Sequence, residues 1–210
     1  METIQTLKAL WTDQTMRVDS SMHIWESAVL LPLVQRKNGW EILFEVRSAN
    51  IHWQPGDICF PGGHREDTDS TLLATALRET GEELGINASK ITVLGPLQYF
   101  YAYRGPIIYP YAGIISSEEP LHIQTEEVGE IFTVPLEDLL HLTPLTGNVT
   151  MGSRREPGFP YPESQKENSE WQPISTYPVY FYPWKNRMIW GITARILHQF
   201  LELVKHREVL

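Results

Sequence analysis

The segment between Gly63 and Gly85 constrains this chain most, because it ends Arg78-Glu79-Thr80-Gly81-Glu82-Glu83-Leu84-Gly85. Leu72, Leu73, Ala76, Leu77 and Leu84 recur at helical spacing, which predicts one amphipathic helix. Asp67-Thr68-Asp69-Ser70 supplies side chains able to cap its free N–H groups, and Gly85 suits a left-handed stop. On that helix Glu79 lies three residues before Glu82 and four before Glu83, so the three carboxylates share one face.

Like charges a helical turn apart repel by a few tenths of a kcal/mol or more per pair, which favours a bound cation. Hard divalent ions suit oxygen ligands, and Mg²⁺ takes one or two carboxylates together with water and phosphate oxygens. The bland alternative is a solvated acidic face with Arg78 as its local counter-charge.

The rest of the chain predicts a mixed α/β pattern around one core. Ala28 to Val34 reads as a buried strand, made irregular or pushed toward an edge by Pro32. Trp40 to Val46 reads as its hairpin partner across Lys37-Asn38-Gly39, with Glu45 facing solvent as strand glutamates normally do. Pro55-Gly56 and Pro61-Gly62-Gly63 punctuate a loop around Ile58-Cys59-Phe60. Further strands are expected at Ile91 to Leu94, Leu97 to Tyr101, Ile107 to Ile115 and Ile131 to Val134. Short helices are expected at Glu2 to about Leu10 and at Leu136 to His141. A final amphipathic helix, about Trp190 to Lys205, turns Ile192, Ile196, Leu197, Phe200, Leu203 and Val204 toward one face. Residues 143–178 are rich in Gly, Pro and polar side chains and too long for a plain connector, which leaves a lid or a self-paired hairpin.

Bulk properties narrow the function classes. The 210 residues fit one large domain, and 42% hydrophobic content with seven tryptophans is enough to build a core. A formal charge of −9 argues against non-specific nucleic-acid binding while leaving a local anion site open. The lone Cys59 excludes an internal disulfide. With no signal-peptide pattern at the start and no apolar run near the ~20 residues a bilayer requires, the expectation is a cytoplasmic protein without membrane contact.

From Gly63 through Ile86 the chain resembles the Nudix box, a loop–helix–loop written G-x5-E-x7-R-E-U-x-E-E-x-G-U. The match is close over the nine positions ending Arg-Glu-Thr-Gly-Glu-Glu-Leu-Gly-Ile. At its start Gly63 stands one residue farther from Arg78 than the pattern has it, and Ser70, beside Asp69, occupies the slot of the first glutamate. The coenzyme A-hydrolysing branch is similar in that offset and in a preceding signature, L-L-x-x-R-S-x-x-L-R-x-H-x-G-x-x-x-F-P-G-G. Here the chain reads Leu43-Phe44-Glu45-Val46-Arg47-Ser48, then Ile51, Gly56 and Phe60-Pro61-Gly62-Gly63, departing at His52 and Gln54. Ile189 to Leu197 also resembles that branch.

The resemblance implies a mixed sheet sandwiched between helices, in the α/β/α manner, and Mg²⁺- or Mn²⁺-dependent hydrolysis of a pyrophosphate bond. On it, Glu79 and Glu83 are the first-choice metal ligands, Glu82 is a ligand or base, and the Gly63 carbonyl completes the shell. Arg78 pairs with an acid to orient the helix, while Glu127, beside Glu126, offers a base from a later loop. Arg47, Arg65 and Arg104 are candidates for a substrate phosphate, which suits planar guanidinium groups. Trp53, Tyr99 and Tyr103 are candidates for stacking on adenine, and His64 reads as a plain loop residue. The implied substrate is coenzyme A or a derivative. Competing readings are another nucleoside diphosphate derivative, such as ADP-ribose or a dinucleotide, and a non-catalytic nucleotide sensor. A homodimer is one assembly the resemblance allows.

Overall fold

A computed structural model of the chain describes residues 24–102, 105–116, 120–161 and 170–206. The helix expected at Glu2 to about Leu10 lies outside them, as do Tyr103 and Arg104.

An eight-stranded mixed sheet forms the frame. Strand β1 (Glu26–Arg36) and β2 (Gly39–Arg47) make the expected hairpin, with Arg36 opposite Gly39. On its other side β1 runs parallel to β7 (Ile107–Ile115), from Glu26 opposite Ile107 to Val34 opposite Ile115. β7 in turn pairs with β5 (Ile91–Pro96) and with the short β6 (Phe100–Tyr101), the only part of Leu97 to Tyr101 that forms strand. β8 (Val128–Pro135) flanks β2.

The hairpin splays into a fork. β1 and β2 pair only near their turn, from Leu33 opposite Ile42 to Arg36 opposite Gly39. Beyond that point the chain from Ile58 to His64 wedges between them, with β3 (Ile58–Cys59) on β2 and β4 (Gly62–His64) on β1. Pro32 therefore does not mark an edge. β1 is central, and the missing N–H of Pro32 falls where the strand passes from the wedge to β2, so no ladder bond is lost there.

Helix α1 (Leu72–Leu84) covers one face of the sheet, where Leu84 joins Leu30, Val34, Leu43, Ile86, Ile91 and Ile115 in a buried cluster. Helices α2 (Leu136–His141) and α3 (Gly191–His206) cover the other face against Leu31, Leu33, Ile42 and Phe44. The result is the expected sheet between helical layers. The face α3 buries carries Thr193, Ala194, Ile196, Leu197, Phe200 and Leu201, whereas Ile192 and Leu203, expected inside, are exposed because the buried stripe runs through Thr193, Ala194 and Leu201 instead.

Residues 143–178 resolve into the hairpin alternative. β9 (Leu145–Ser153) pairs with β10 (Gln172–Trp184), and β10 with β11 (Arg187–Trp190), as a separate three-stranded sheet. Most of β9 is exposed, while Tyr182 and Ile189 at the base of this sheet join the core beside α3.

Candidate active site

The start of α1 is capped by Thr71, whose hydroxyl accepts from Ala74 N–H at 3.1 Å, one position beyond the expected Asp67 to Ser70. That frees Asp69 for another task. Its carboxylate takes two hydrogen bonds from Arg78, Nε to Oδ1 at 3.0 Å and Nη2 to Oδ2 at 3.1 Å, and one from Glu66 N–H at 2.9 Å. The Arg78 hydrogen bonds, with help from the Glu66 N–H, hold the Asp69 carboxyl well below the usual carboxylate range. Ser70, in the nominal glutamate slot, is exposed, and its neighbour supplies the acid instead.

Arg78 also reaches Glu79 at 2.9 Å, Glu82 at 3.0 Å and the His64 carbonyl at 3.0 Å. It thus ties the first turns of the helix to the Gly-Gly segment and offsets repulsion between neighbouring carboxylates. Glu83 lies on the buried side, where Oε2 accepts from Gly62 N–H at 2.8 Å. Burial pushes the Glu83 carboxyl up to about 8; the Gly62 N–H opposes this, while Glu79 and Glu127 add to it. Glu79 is also raised, by its own burial first, with Arg78 acting against it. Gly63 sits so close to Glu79 that a Cβ there would fall 2.5 Å from its carboxylate.

The fork brings a second group of residues to the same place. Glu45 follows Leu43 by two positions and shares its side of β2, the side covered by α1. The expectation that it faces solvent fails: Glu45 is 1% exposed, and Oε1 has no hydrogen-bond partner. Burial, then the Glu83 charge, raise its carboxyl well above the usual range. Cys59, opposite Glu45 across the ladder, is raised by burial and by the same two acids, so this thiol is not a poised nucleophile. Arg47 is the cation that acts on Glu45, Glu83 and Cys59, and its Nε donates to the Trp53 carbonyl at 3.1 Å.

The loop before β8 closes the site. Gln124 N–H donates to the Glu83 carbonyl at 2.9 Å, and Ser48 N–H donates to the Glu127 carbonyl at 2.8 Å. Glu127 is exposed there, yet its charge bears on Glu45, Glu79 and Glu83. Arg65 is drawn away from this group, bonded to Glu26 at 2.9 Å. Trp53 is 68% exposed beside Arg47, Tyr99 stacks on Tyr109, and the His64 ring stacks on Trp25.

A model described as the NUDIX domain matches residues 25–151. The chain belongs to the Nudix family. A relative from Photorhabdus laumondii named as an uncharacterized Nudix hydrolase, NudL, is 32% identical over 187 residues, covering 89% of this chain and 87% of the relative. A NudL of Escherichia fergusonii is 33% identical over 174 residues, 83% of this chain and 80% of its own. In fold, a MutT/nudix family protein from Enterococcus faecalis is similar with a TM-score of 0.50 at 14% identity, covering 96% of this chain and 69% of that one.

The chain is therefore a Nudix hydrolase, an enzyme of pyrophosphate bonds in nucleoside diphosphate derivatives, a family that generally uses divalent cations. Among the described residues no three His, Cys, Asp or Glu side chains already converge as an ion shell. Glu79 and Glu82 are turned to Arg78, and Glu83 to Gly62. The donor set still suits a hard cation: clustered carboxylates, two of them raised by burial, an orphaned Glu45 oxygen and a glycine leaving room at Glu79. No helix among the described residues is long and apolar enough to cross a membrane.

Two residues of this cluster are not among those that spacing points to. Asp69 reads from sequence as a capping residue, although its spacing of nine residues from Arg78 puts it just outside the helix that Arg78 can reach back along. Glu45 carried a clearer signal. It interrupts Ile42 to Val46, a run without strict alternation, and such a strand is covered on both faces, so its glutamate is inside.

Proposed function

We propose that this Nudix hydrolase cuts the pyrophosphate bond of coenzyme A or its acyl derivatives, releasing 3′,5′-ADP and 4′-phosphopantetheine or its acylated form. The position of Arg47 is the observation that carries the proposal. The segment resembling the coenzyme A branch, Leu43 to Gly63, runs from the end of β2 into the wedge inside the fork, and it carries Arg47, whose charge bears on Glu83 and Glu45. Arg78 is committed to Asp69, Glu79 and Glu82, and Arg65 to Glu26, whereas no described carboxylate forms an ion pair with Arg47. Of these three described arginines, Arg47 has the guanidinium suited to substrate phosphate oxygens.

In this mechanism Glu79 and Glu83 would hold Mg²⁺ or Mn²⁺, joined by the Gly63 carbonyl and by Glu82 where it serves as ligand instead of base. Bound there, such an ion would supply polarisation of the phosphoryl oxygens and a lowered pKa for water. Glu127, at the open side of the cluster, takes the proton as water oxygen bonds to phosphorus and the bridging P–O bond breaks, with Glu82 as the other candidate base. Arg78 keeps the helix in register with Gly63. Arg65 and Trp53 contribute to the substrate rim, Arg65 by exchanging a surface ion pair worth about 0–1 kcal/mol, and Arg104, outside the described residues, is the remaining candidate for a substrate phosphate. The unit is one catalytic domain to which the β9–β10 hairpin adds a rim, and a reducing cytoplasm suits both the substrate and Cys59.

The test is turnover of coenzyme A, ADP-ribose and dinucleotides by purified protein with Mg²⁺ or Mn²⁺, with products identified by mass. Highest kcat/KM on coenzyme A, with release of 3′,5′-ADP, supports the proposal. Preference for ADP-ribose or a dinucleotide sinks the substrate and retains the chemistry, an outcome favoured by the departures at His52 and Gln54, the latter held at φ 51° in the wedge loop.

A further inference from the structure

Among the described residues only two buried side-chain atoms lack a hydrogen-bond partner, Glu45 Oε1 and Gln199 Oε1, and Glu45 is the one that can carry charge. It lies in the middle of β2 with Cys59 opposite on one side and Ile131 on the other. A thiol is at most a weak donor and an isoleucine side chain none, so the ladder neighbours leave Oε1 unsatisfied. Its charged neighbours are Glu83, Arg47 and Glu127. Two of these are acids, and Arg47 donates its Nε to the Trp53 carbonyl.

The sheet face fixes where that oxygen looks. Leu43, two residues earlier, packs with Leu84, the residue after Glu83, in the cluster beneath α1. Glu45 therefore projects into the layer between β2 and the C-terminal turn of α1, approaching the Glu83 carboxylate from the sheet side while Gly62 holds it from the wedge. Two buried carboxylates in one layer between a strand and a helix, with the charge of Glu83 bearing on Glu45, are a donor set that one hard cation would satisfy at once.

We propose that Glu45 is a direct ligand of the divalent cation held by Glu83, completing the metal site from the sheet. The proposal rests on the assignment of Glu79 and Glu83 as metal ligands. Glu45 lies outside the Nudix box and anchors the ion to the frame of the fold, so ion position is tied to the splay of β1 and β2.

The experiment is titration of metal-stripped protein with Mn²⁺, following free Mn²⁺ by electron paramagnetic resonance, for wild type, Glu45→Gln, Glu45→Met and Glu83→Gln. Loss of a residue that merely hydrogen-bonds to a metal ligand already costs about 10–100-fold in affinity, so loss of a direct ligand is expected to weaken Mn²⁺ binding at least tenfold in both Glu45 variants. Their melting temperatures in EDTA are expected to equal or exceed wild type, since a buried acid has been removed, and the rise in melting temperature on adding Mn²⁺ is expected to shrink. Glu45→Met, apolar among apolar neighbours, provides a folded variant should the amide not be tolerated. Wild-type Mn²⁺ binding in either folded Glu45 variant, with binding lost in Glu83→Gln, overturns the role of Glu45 alone. Wild-type binding in all variants overturns the metal assignment beneath it as well.

Discussion

Arg78 grips Asp69 from nine residues along the chain, with Nε and Nη2 each on a separate carboxylate oxygen at 3.0 and 3.1 Å. Asp69 is 8% exposed, so this two-point contact is little weakened by solvent. A double-mutant cycle with Asp69→Ala and Arg78→Ala, measured by urea unfolding, is expected to give a coupling of about 1.5–3 kcal/mol. Asp69→Ala is also expected to lower kcat about tenfold or more, because Arg78 then leans on Glu79 and Glu82 instead of holding the helix to the loop.

Gly63 and Gly85 separate activity from stability. A Cβ at Gly63 meets the far end of the flexible Glu79 side chain, which moves aside at small cost to the fold but leaves its working position. Gly63→Ala is expected to keep its melting temperature within a few degrees and lose most of its metal-dependent turnover. At Gly85, φ is 65° and a Cβ would stand 2.3 Å from the His122 carbonyl, so backbone must shift. Gly85→Ala is expected to cost more than about 1 kcal/mol in urea unfolding.

Glu79→Gln and Glu83→Gln each remove a proposed ion ligand without changing shape. Steady-state kinetics with Mn²⁺ are expected to show kcat at least about 100-fold lower for either, beyond what outer-shell partners cost. Full activity in one of them removes that residue from the metal set.

Metal-free protein is expected to lose stability as pH rises. Burial pushes the Glu83 carboxyl from its ordinary 4.5 up to about 8 in the folded state. Between those values the folded chain holds a proton that the unfolded chain has released, so unfolding gains with each step upward in pH. Melting temperature in EDTA is expected to fall from about pH 5 to about pH 8 and to fall less in Glu83→Gln. Mn²⁺, which favours the carboxylate, is expected to flatten the slope.

Elements whose reasons are local were legible in the sequence. Ile107–Ile115 and Leu136–His141 are observed with the expected bounds, because apolar runs bounded by turn residues or proline define them without help from elsewhere. Nothing local announces that β1 and β2 splay after four paired positions, or that Ile58 to His64 fills the gap, since both depend on strands distant in sequence. The burial of Glu45 is a product of that fork. The glutamates of α1 could be named from spacing alone, but their unequal burial could not: exposed Glu82, half-buried Glu79 and buried Glu83 follow from how the helix sits on the sheet.

The parallel ladder between β1 and β7 governs the order in which the molecule can assemble. Its first residues are tied by the Tyr109 hydroxyl donating to Glu26 across 83 positions, whereas β1, the wedge and α1 are contiguous. Closing a loop of that span is slow compared with forming a hairpin or a helix. A nascent chain halted before Ile107 carries the whole glutamate motif, yet its central strand is paired on one side only. The motif is written in one stretch of sequence, but its platform is completed only when a much later strand arrives.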